Sequence, residues 1–172
     1  TFFMVQFWAE KYPEYVKKIA DAGCEIGTHS ATHSYMSRQS EEEIRAELRS
    51  SCAAIETVTG KAVELFRAPY GDYDDLLIET AQSMGLYTIQ WDVDSLDWKD
   101  LSATDISMRI INNVKSGSII LCHNNGLHTA EALPIVLDTL KNSGYEFVPI
   151  GELIYRENYT IDASGRQCPA ES

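Results

Sequence analysis

His29-Ser-Ala-Thr-His33 places two imidazoles four residues apart. If the loop enters a helical turn there, both rings can face one divalent cation, with a carboxylate and water completing the site. Otherwise the segment is a polar loop and the spacing an accident. Arg67-Ala-Pro-Tyr-Gly71 reads either as a plain turn or as a reactive one. In the reactive reading Arg67 clamps a carboxylate through two N–H groups, and the turn after it offers backbone N–H groups to an oxyanion. Asp94-Ser-Leu-Asp97-Trp98 joins a carboxylate to an aromatic wall, unless it is a capping Asp beside a core Trp. His123 ends an apolar run, where a lone His is commonly a core residue. Near Asp97 it is instead an imidazole whose protonated form is favoured, as a general acid needs. Asp92 is ambiguous, and His128 in Asn124-Asn-Gly-Leu-His128 reads as a surface loop residue.

The elements that must position these groups follow one rhythm. An amphipathic stretch ends in Gly and a short apolar run follows: Gly23 before Cys24–Thr28, Gly60 before Ala62–Phe66, Gly85 before Leu86–Val93. Gly117 before Ser118–Cys122 and Gly144 before Tyr145–Ile150 repeat it. Gly suits the left-handed position that ends a helix, and the runs are short enough for buried strands. With Thr1–Phe7 this predicts six strands. Ile44, Leu48, Cys52 and Ile55 keep the spacing of one helix face, opened by a capping box of Ser40 and Glu43. Ile106, Ile110 and Val114 form a second stripe. Leu133, Val136, Leu137 and Leu140 form a third, capped by Thr129. Strands alternating with helices predict parallel βαβ units, hence an α/β fold. The four reactive clusters all fall at strand C-termini, the edge where such folds build active sites, and are expected to converge on one rim.

Composition narrows the partners. A chain of 172 residues suits one domain with a sizeable core. Apolar and charged fractions of 44% and 23% exclude wholesale disorder. A formal net charge of −12 excludes nucleic acid, because no basic stripe can neutralise phosphates; Glu41, Glu42 and Glu43 read as a solvated face. Cys24, Cys52 and Cys122 lie in apolar patterns and read as buried thiols, while Cys168 sits in a polar tail. No apolar run is long enough for a membrane helix. Thr1 opens directly into an apolar strand, so the sequence is expected to be cut from something longer, and the lack of a targeting segment says nothing of destination. Residues 156–172 are expected to be a surface tail after a domain of 1–155.

His29-Ser-Ala-Thr-His33, Arg67-Ala-Pro-Tyr-Gly71, Asp94-Ser-Leu-Asp97-Trp98 and Leu121-Cys-His123 resemble, in order and spacing, four of the five motifs of the polysaccharide deacetylases, carbohydrate esterase family 4. The resemblance spans roughly residues 1–155. It implies a distorted (β/α) barrel, one divalent metal, commonly zinc, and hydrolysis of N-acetyl groups on aminosugar polymers to acetate and a free amine. It implies His29 and His33 as metal ligands and Arg67 as the group orienting a catalytic aspartate. Tyr70 matches the backbone N–H at the oxyanion, Trp98 and Leu121 the pocket walls, Asp97 the carboxylate paired with the acid, and His123 the acid itself. Action outside the cytoplasm, on a peptidoglycan or chitin-like substrate, is implied in the same way. The family's first motif, Thr-Phe-Asp-Asp-Gly, which supplies the base and third ligand, is not in this sequence. Asp72, Asp74 and Asp75 follow the wrong strand to replace it. The sequence is then a fragment, a cleavage product associated with its missing N-terminal piece, or one whose beginning is unrecorded, and alone it is expected to be inactive. Rival readings are an O-acetyl xylan esterase, a small cyclic amide hydrolase, or a catalytically silent glycan-binding domain.

Overall fold

The computed structural model describes residues 1–170, and the chain divides into two compact units, Thr1–Gln90 and Trp91–Ser172. In the first, β1 (Phe2–Met4), β2 (Ile26–Thr28), β3 (Leu65–Phe66) and β4 (Tyr87–Thr88) form one sheet in that order, every pair parallel. The helices α1 (Gln6–Lys11), α2 (Pro13–Asp21), α3 (Glu41–Thr59) and α4 (Asp75–Ser83) connect them. Parallel neighbours require such crossovers, so the alternation in sequence dictates the ladder. The core gathers Met4, Val16, Ile44, Leu48, Ile55, Phe66, Leu77 and Leu86.

The expected capping box is present: the Ser40 hydroxyl accepts from the Glu43 backbone N–H, and the Glu43 carboxylate accepts from the Ser40 N–H at 2.8 Å. At the other end of α3, Gly60 takes φ +67°, a conformation that would strain a side-chain residue. Gly27 in β2 is required for space instead. A Cβ there would stand 2.7 Å from the Phe3 ring and 2.8 Å from the Leu65 carbonyl oxygen.

The second unit holds β5 (Val93–Asp94) parallel to β6 (Ile120–Leu121), with α5 (Ala103–Asn113), α6 (Thr129–Asn142) and the short α7 (Ile150–Leu153). Val93, Ile106, Ile110, Ala132, Val136 and Leu140 make its core. Residues 159–169, read from the sequence as tail, carry an antiparallel hairpin of β7 (Tyr159–Ile161) and β8 (Gln167–Pro169).

Several expected elements differ. Thr1–Phe7 is not one strand: β1 ends at Met4, and the Gln6 N–H donates to the Ser30 carbonyl as α1 begins. Leu86–Val93 is two short strands, because β4 pairs with β3 while β5 pairs with β6. Tyr145–Ile150 forms no strand, and Phe147 and Val148 are exposed. Leu133 points to solvent while Ala132 takes the core position. Cys24 is exposed rather than buried, because β2 starts only at Ile26; all four cysteines are free thiols. Among the described residues, no helix is long and apolar enough to cross a membrane.

Candidate functional site

In the first unit, His29 follows β2 immediately, and its Nδ1 lies 2.7 Å from the Arg67 carbonyl oxygen, one residue past β3. A carbonyl only accepts, so Nδ1 carries the proton and Nε2 the lone pair, the tautomer that metal-ligating histidines commonly use. The His29 and His33 rings meet edge to face, centroids 4.9 Å apart. The expected helical turn between them is absent. Ser30 and His33 instead adopt left-handed backbones, φ 70° and 59°, a conformation costing roughly 1–2 kcal/mol per residue.

What holds that loop is Glu47 on α3. Its carboxylate accepts from the Ala31 N–H at 2.8 Å, the Thr32 N–H at 2.9 Å and the Thr32 hydroxyl at 2.6 Å. The Ser30 hydroxyl accepts from the His33 N–H at 3.0 Å, and the buried Thr28 and Ser51 hydroxyls pair at 2.6 Å, tying β2 to α3. Nothing in the sequence pattern marks Glu47, since an acidic residue beside a helical apolar stripe looks like any solvated one.

Arg67 is buried, its guanidinium donating to the Ile89 and Gln90 carbonyls at 3.3 and 3.2 Å and lying 4.3 Å over the Phe3 ring. Burial pushes it down to about 10, so it stays cationic at neutral pH. Tyr70 sits in the turn Pro69–Gly71 with φ +60°. Its ring is flanked by His33 at 4.7 Å and stacked on Tyr35 at 4.1 Å, with Arg38 over the Tyr35 ring at 4.6 Å. This column opposes relaxation of the strained Tyr70 backbone, and nothing in the sequence around Tyr35 marks it as part of the site.

In the second unit, His123 Nδ1 lies 2.8 Å from Asp97 Oδ1, and the His123 backbone N–H donates to Asp97 Oδ2 at 2.7 Å. Asp97 is fully buried, while the His123 side chain is about one-third exposed (35%). Burial alone would raise the Asp97 carboxyl. The His123 N–H, the Thr129 hydroxyl, the His123 ring and Ser95 outweigh it and hold the group below its ordinary value. Cys122 beside it is pushed up to about 11, by burial first and then by the Asp97 charge, and stays a neutral thiol.

Trp98 is half exposed with Lys99 over its ring at 5.0 Å, so it is not the core residue of the plainer reading; Leu121 is buried. Asp94 accepts from the Leu96 N–H at 2.9 Å, which makes it a local turn anchor, whereas Asp92 accepts from the Ser118 hydroxyl and the Ile119 N–H and so ties the segment before β5 to the one before β6. Asp74 caps α4 through the Leu77 N–H. Thr129 does not cap α6 as expected; that place belongs to His128, an exposed residue near Glu131. The Thr129 hydroxyl donates to Asp97 Oδ2 at 2.7 Å instead.

The His29–His33 pair, with Nδ1 of His29 held by a carbonyl, fits an imidazole-bound divalent metal in two ligands. Among the described residues no group of three or more His, Cys, Asp or Glu stands together as a metal cluster, so the set is incomplete.

Parallel α/β units with reactive side chains at strand ends suit many kinds of site, and comparison with known proteins shows which family this chain belongs to. The polysaccharide deacetylase family model matches residues 1–89. A Bacillus cereus peptidoglycan-N-acetylglucosamine deacetylase is 34% identical over 159 residues, covering 90% of this chain and 74% of that protein. The Listeria monocytogenes peptidoglycan-N-acetylglucosamine deacetylase PgdA is 34% identical over 94% of this chain, which spans only 34% of PgdA. A family 4 pseudoenzyme from Bacillus anthracis has a solved structure with a TM-score of 0.85 at 34% identity, covering 88% of this chain and 54% of its own. The chain belongs to the polysaccharide deacetylase family and has its α/β fold.

Proposed function

We propose that this chain serves in hydrolysis of N-acetyl groups on an aminosugar polymer of the cell envelope, releasing acetate and a free amine. The observation that carries the reading is the His123 ring bonded at 2.8 Å to a fully buried Asp97 carboxylate. A buried carboxylate is costly to fold around, and here it holds the imidazole that is proposed to give a proton to a leaving amine. His29 and His33 are the proposed ligands for one divalent metal, commonly zinc in this family, which when bound supplies Lewis-acid polarisation of the acetyl carbonyl. The Tyr70 backbone N–H, in a turn of φ +60°, is the proposed donor to the developing oxyanion. Trp98 and Leu121 wall the acetyl pocket, and Arg67 orients the aspartate base. That base belongs to the Thr-Phe-Asp-Asp-Gly motif, which this sequence does not hold, so the proposed reaction needs a segment that carries it. All of these roles fall within residues 1–155, and 156–172 carry none.

Deacetylation is tested by acetate release from peptidoglycan, chitin oligomers and acetylated xylan, using zinc and a polypeptide that joins this chain to a first-motif segment. Release from xylan alone would transfer the reading to O-acetyl esters, and release from small cyclic amides alone to an amide hydrolase. The likeness to a family 4 pseudoenzyme favours a second reading, a silent glycan-binding domain. It predicts sugar binding without acetate even when the first motif is restored.

A further inference from the structure

The Asp97 carboxylate has two oxygens and three named donors from outside its own turn. Oδ1 faces the His123 Nδ1 at 2.8 Å, whereas Oδ2 accepts the His123 backbone N–H at 2.7 Å and the Thr129 hydroxyl at 2.7 Å. Thr129 is itself buried and opens α6, so its hydroxyl is carried on a regular element rather than on a loose loop. The turn between His123 and Thr129 closes tightly over this contact. A Cβ at Gly126 would stand 2.1 Å from the Thr129 hydroxyl oxygen and 3.0 Å from Asp97 Oδ2, so only glycine fits there.

We propose that Thr129 is a positioning residue for the proton donor, a role that rests on the proposed assignment of His123 as the acid. By occupying Oδ2 together with the His123 N–H, it stops the carboxylate from turning and keeps Oδ1 for the imidazole. The ring is then fixed with its proton on Nδ1, so that Nε2 is the nitrogen that takes up and delivers the catalytic proton. Without the Thr129 hydroxyl, Oδ2 keeps only the His123 N–H as a donor from outside the turn, and the carboxylate is held less firmly about its Cβ–Cγ bond. Both ring orientation and tautomer then loosen, although the Thr129 hydroxyl bonds the carboxylate and not the imidazole.

The test is NMR on the full chain, observing the His123 ring nitrogens and the Nδ1–H proton in the unsubstituted protein and in Thr129→Val, Thr129→Ser and Gly126→Ala. The unsubstituted protein and Thr129→Ser are expected to show one tautomer with a protected Nδ1–H. Thr129→Val, which keeps the shape without the donor, is expected to exchange that proton at least about tenfold faster and to shift both ring nitrogens. Gly126→Ala should do the same by displacing the hydroxyl. A Thr129→Val protein whose ring shifts and exchange rate equal those of the parent overturns the role of Thr129 and leaves the acid pair standing. Absence of the Nδ1–H signal in the parent overturns the acid pair, and with it the proposed function. Should neither donor-removing variant fold, the parent's own Thr129 hydroxyl proton decides: protection from exchange supports the clamp, and rapid exchange overturns it.

Discussion

The carbonyl oxygen of Arg67 fixes the tautomer of His29, whose Nδ1 it meets at 2.7 Å. Two motifs 38 residues apart in sequence are therefore one structural device, in which the turn after β3 orients a ring after β2. A backbone group does this work, so no side-chain substitution at Arg67 removes it directly.

Zinc binding by the chain is expected to be weak, since only two imidazoles are in place, and to depend on both. His29→Ala or His33→Ala should each lower the affinity by more than the ~10–100-fold typical of losing an outer-shell partner. Competition with a chromophoric chelator measures this. Equal affinities in parent and variants would remove the pair from the metal site.

Gly27 tests how the strand carries that pair. Gly27→Ala drives a methyl to 2.7 Å from the Phe3 ring and 2.8 Å from the Leu65 carbonyl. Overpacking of this kind costs about 1–3 kcal/mol. Urea unfolding should show the loss, and zinc affinity should fall in parallel because β2 ends one residue before His29.

The capping box of α3 makes a separate prediction, far from any proposed chemistry. Ser40→Ala removes the acceptor for the Glu43 N–H and should destabilise the chain by about 1 kcal/mol. The same substitution should leave the His123 ring signals unchanged. A stability equal to that of the parent would show that α3 is held by packing alone.

Asp97→Asn gives a stability signature with a definite sign. The folded carboxyl lies below its ordinary value, despite burial, because the His123 N–H, Thr129, the His123 ring and Ser95 favour the anion. Its contribution is therefore present above the unfolded value of about 3.9 and lost as pH falls through the folded one. At neutral pH, Asp97→Asn should cost about 1–3 kcal/mol, since its amide presents a donor where donors already point. The gap between parent and variant, followed by urea unfolding at a series of pH values, should close in acid. A gap independent of pH would mean that the charge of Asp97 contributes nothing.

The alternation of apolar runs and glycines located every motif at a strand end because burial and helix termination are local matters. All five glycines that end the amphipathic stretches do adopt positive φ. What escaped was pairing at long range. Leu86–Val93 is a single apolar run, yet its two ends pair with different neighbours, and hydropathy does not say which neighbour a strand will meet. Glu47 and Thr129 escaped for the same reason, as each bonds a partner 15 or more residues away that no spacing rule joins to it. The spacing of His29 and His33 suits a helical turn, but the segment between them is a loop with left-handed residues, held by Glu47.

Acetate measured from peptidoglycan is the most direct test, using zinc and this chain joined to a segment bearing adjacent aspartates. Acetate and free amine should appear in equal amounts, vanish with a chelator, and fall by roughly 10²–10⁴ in His123→Ala, as loss of a general acid requires. Glycan that binds and stays fully acetylated, or a His123→Ala protein that turns over as fast as its parent, would contradict the account.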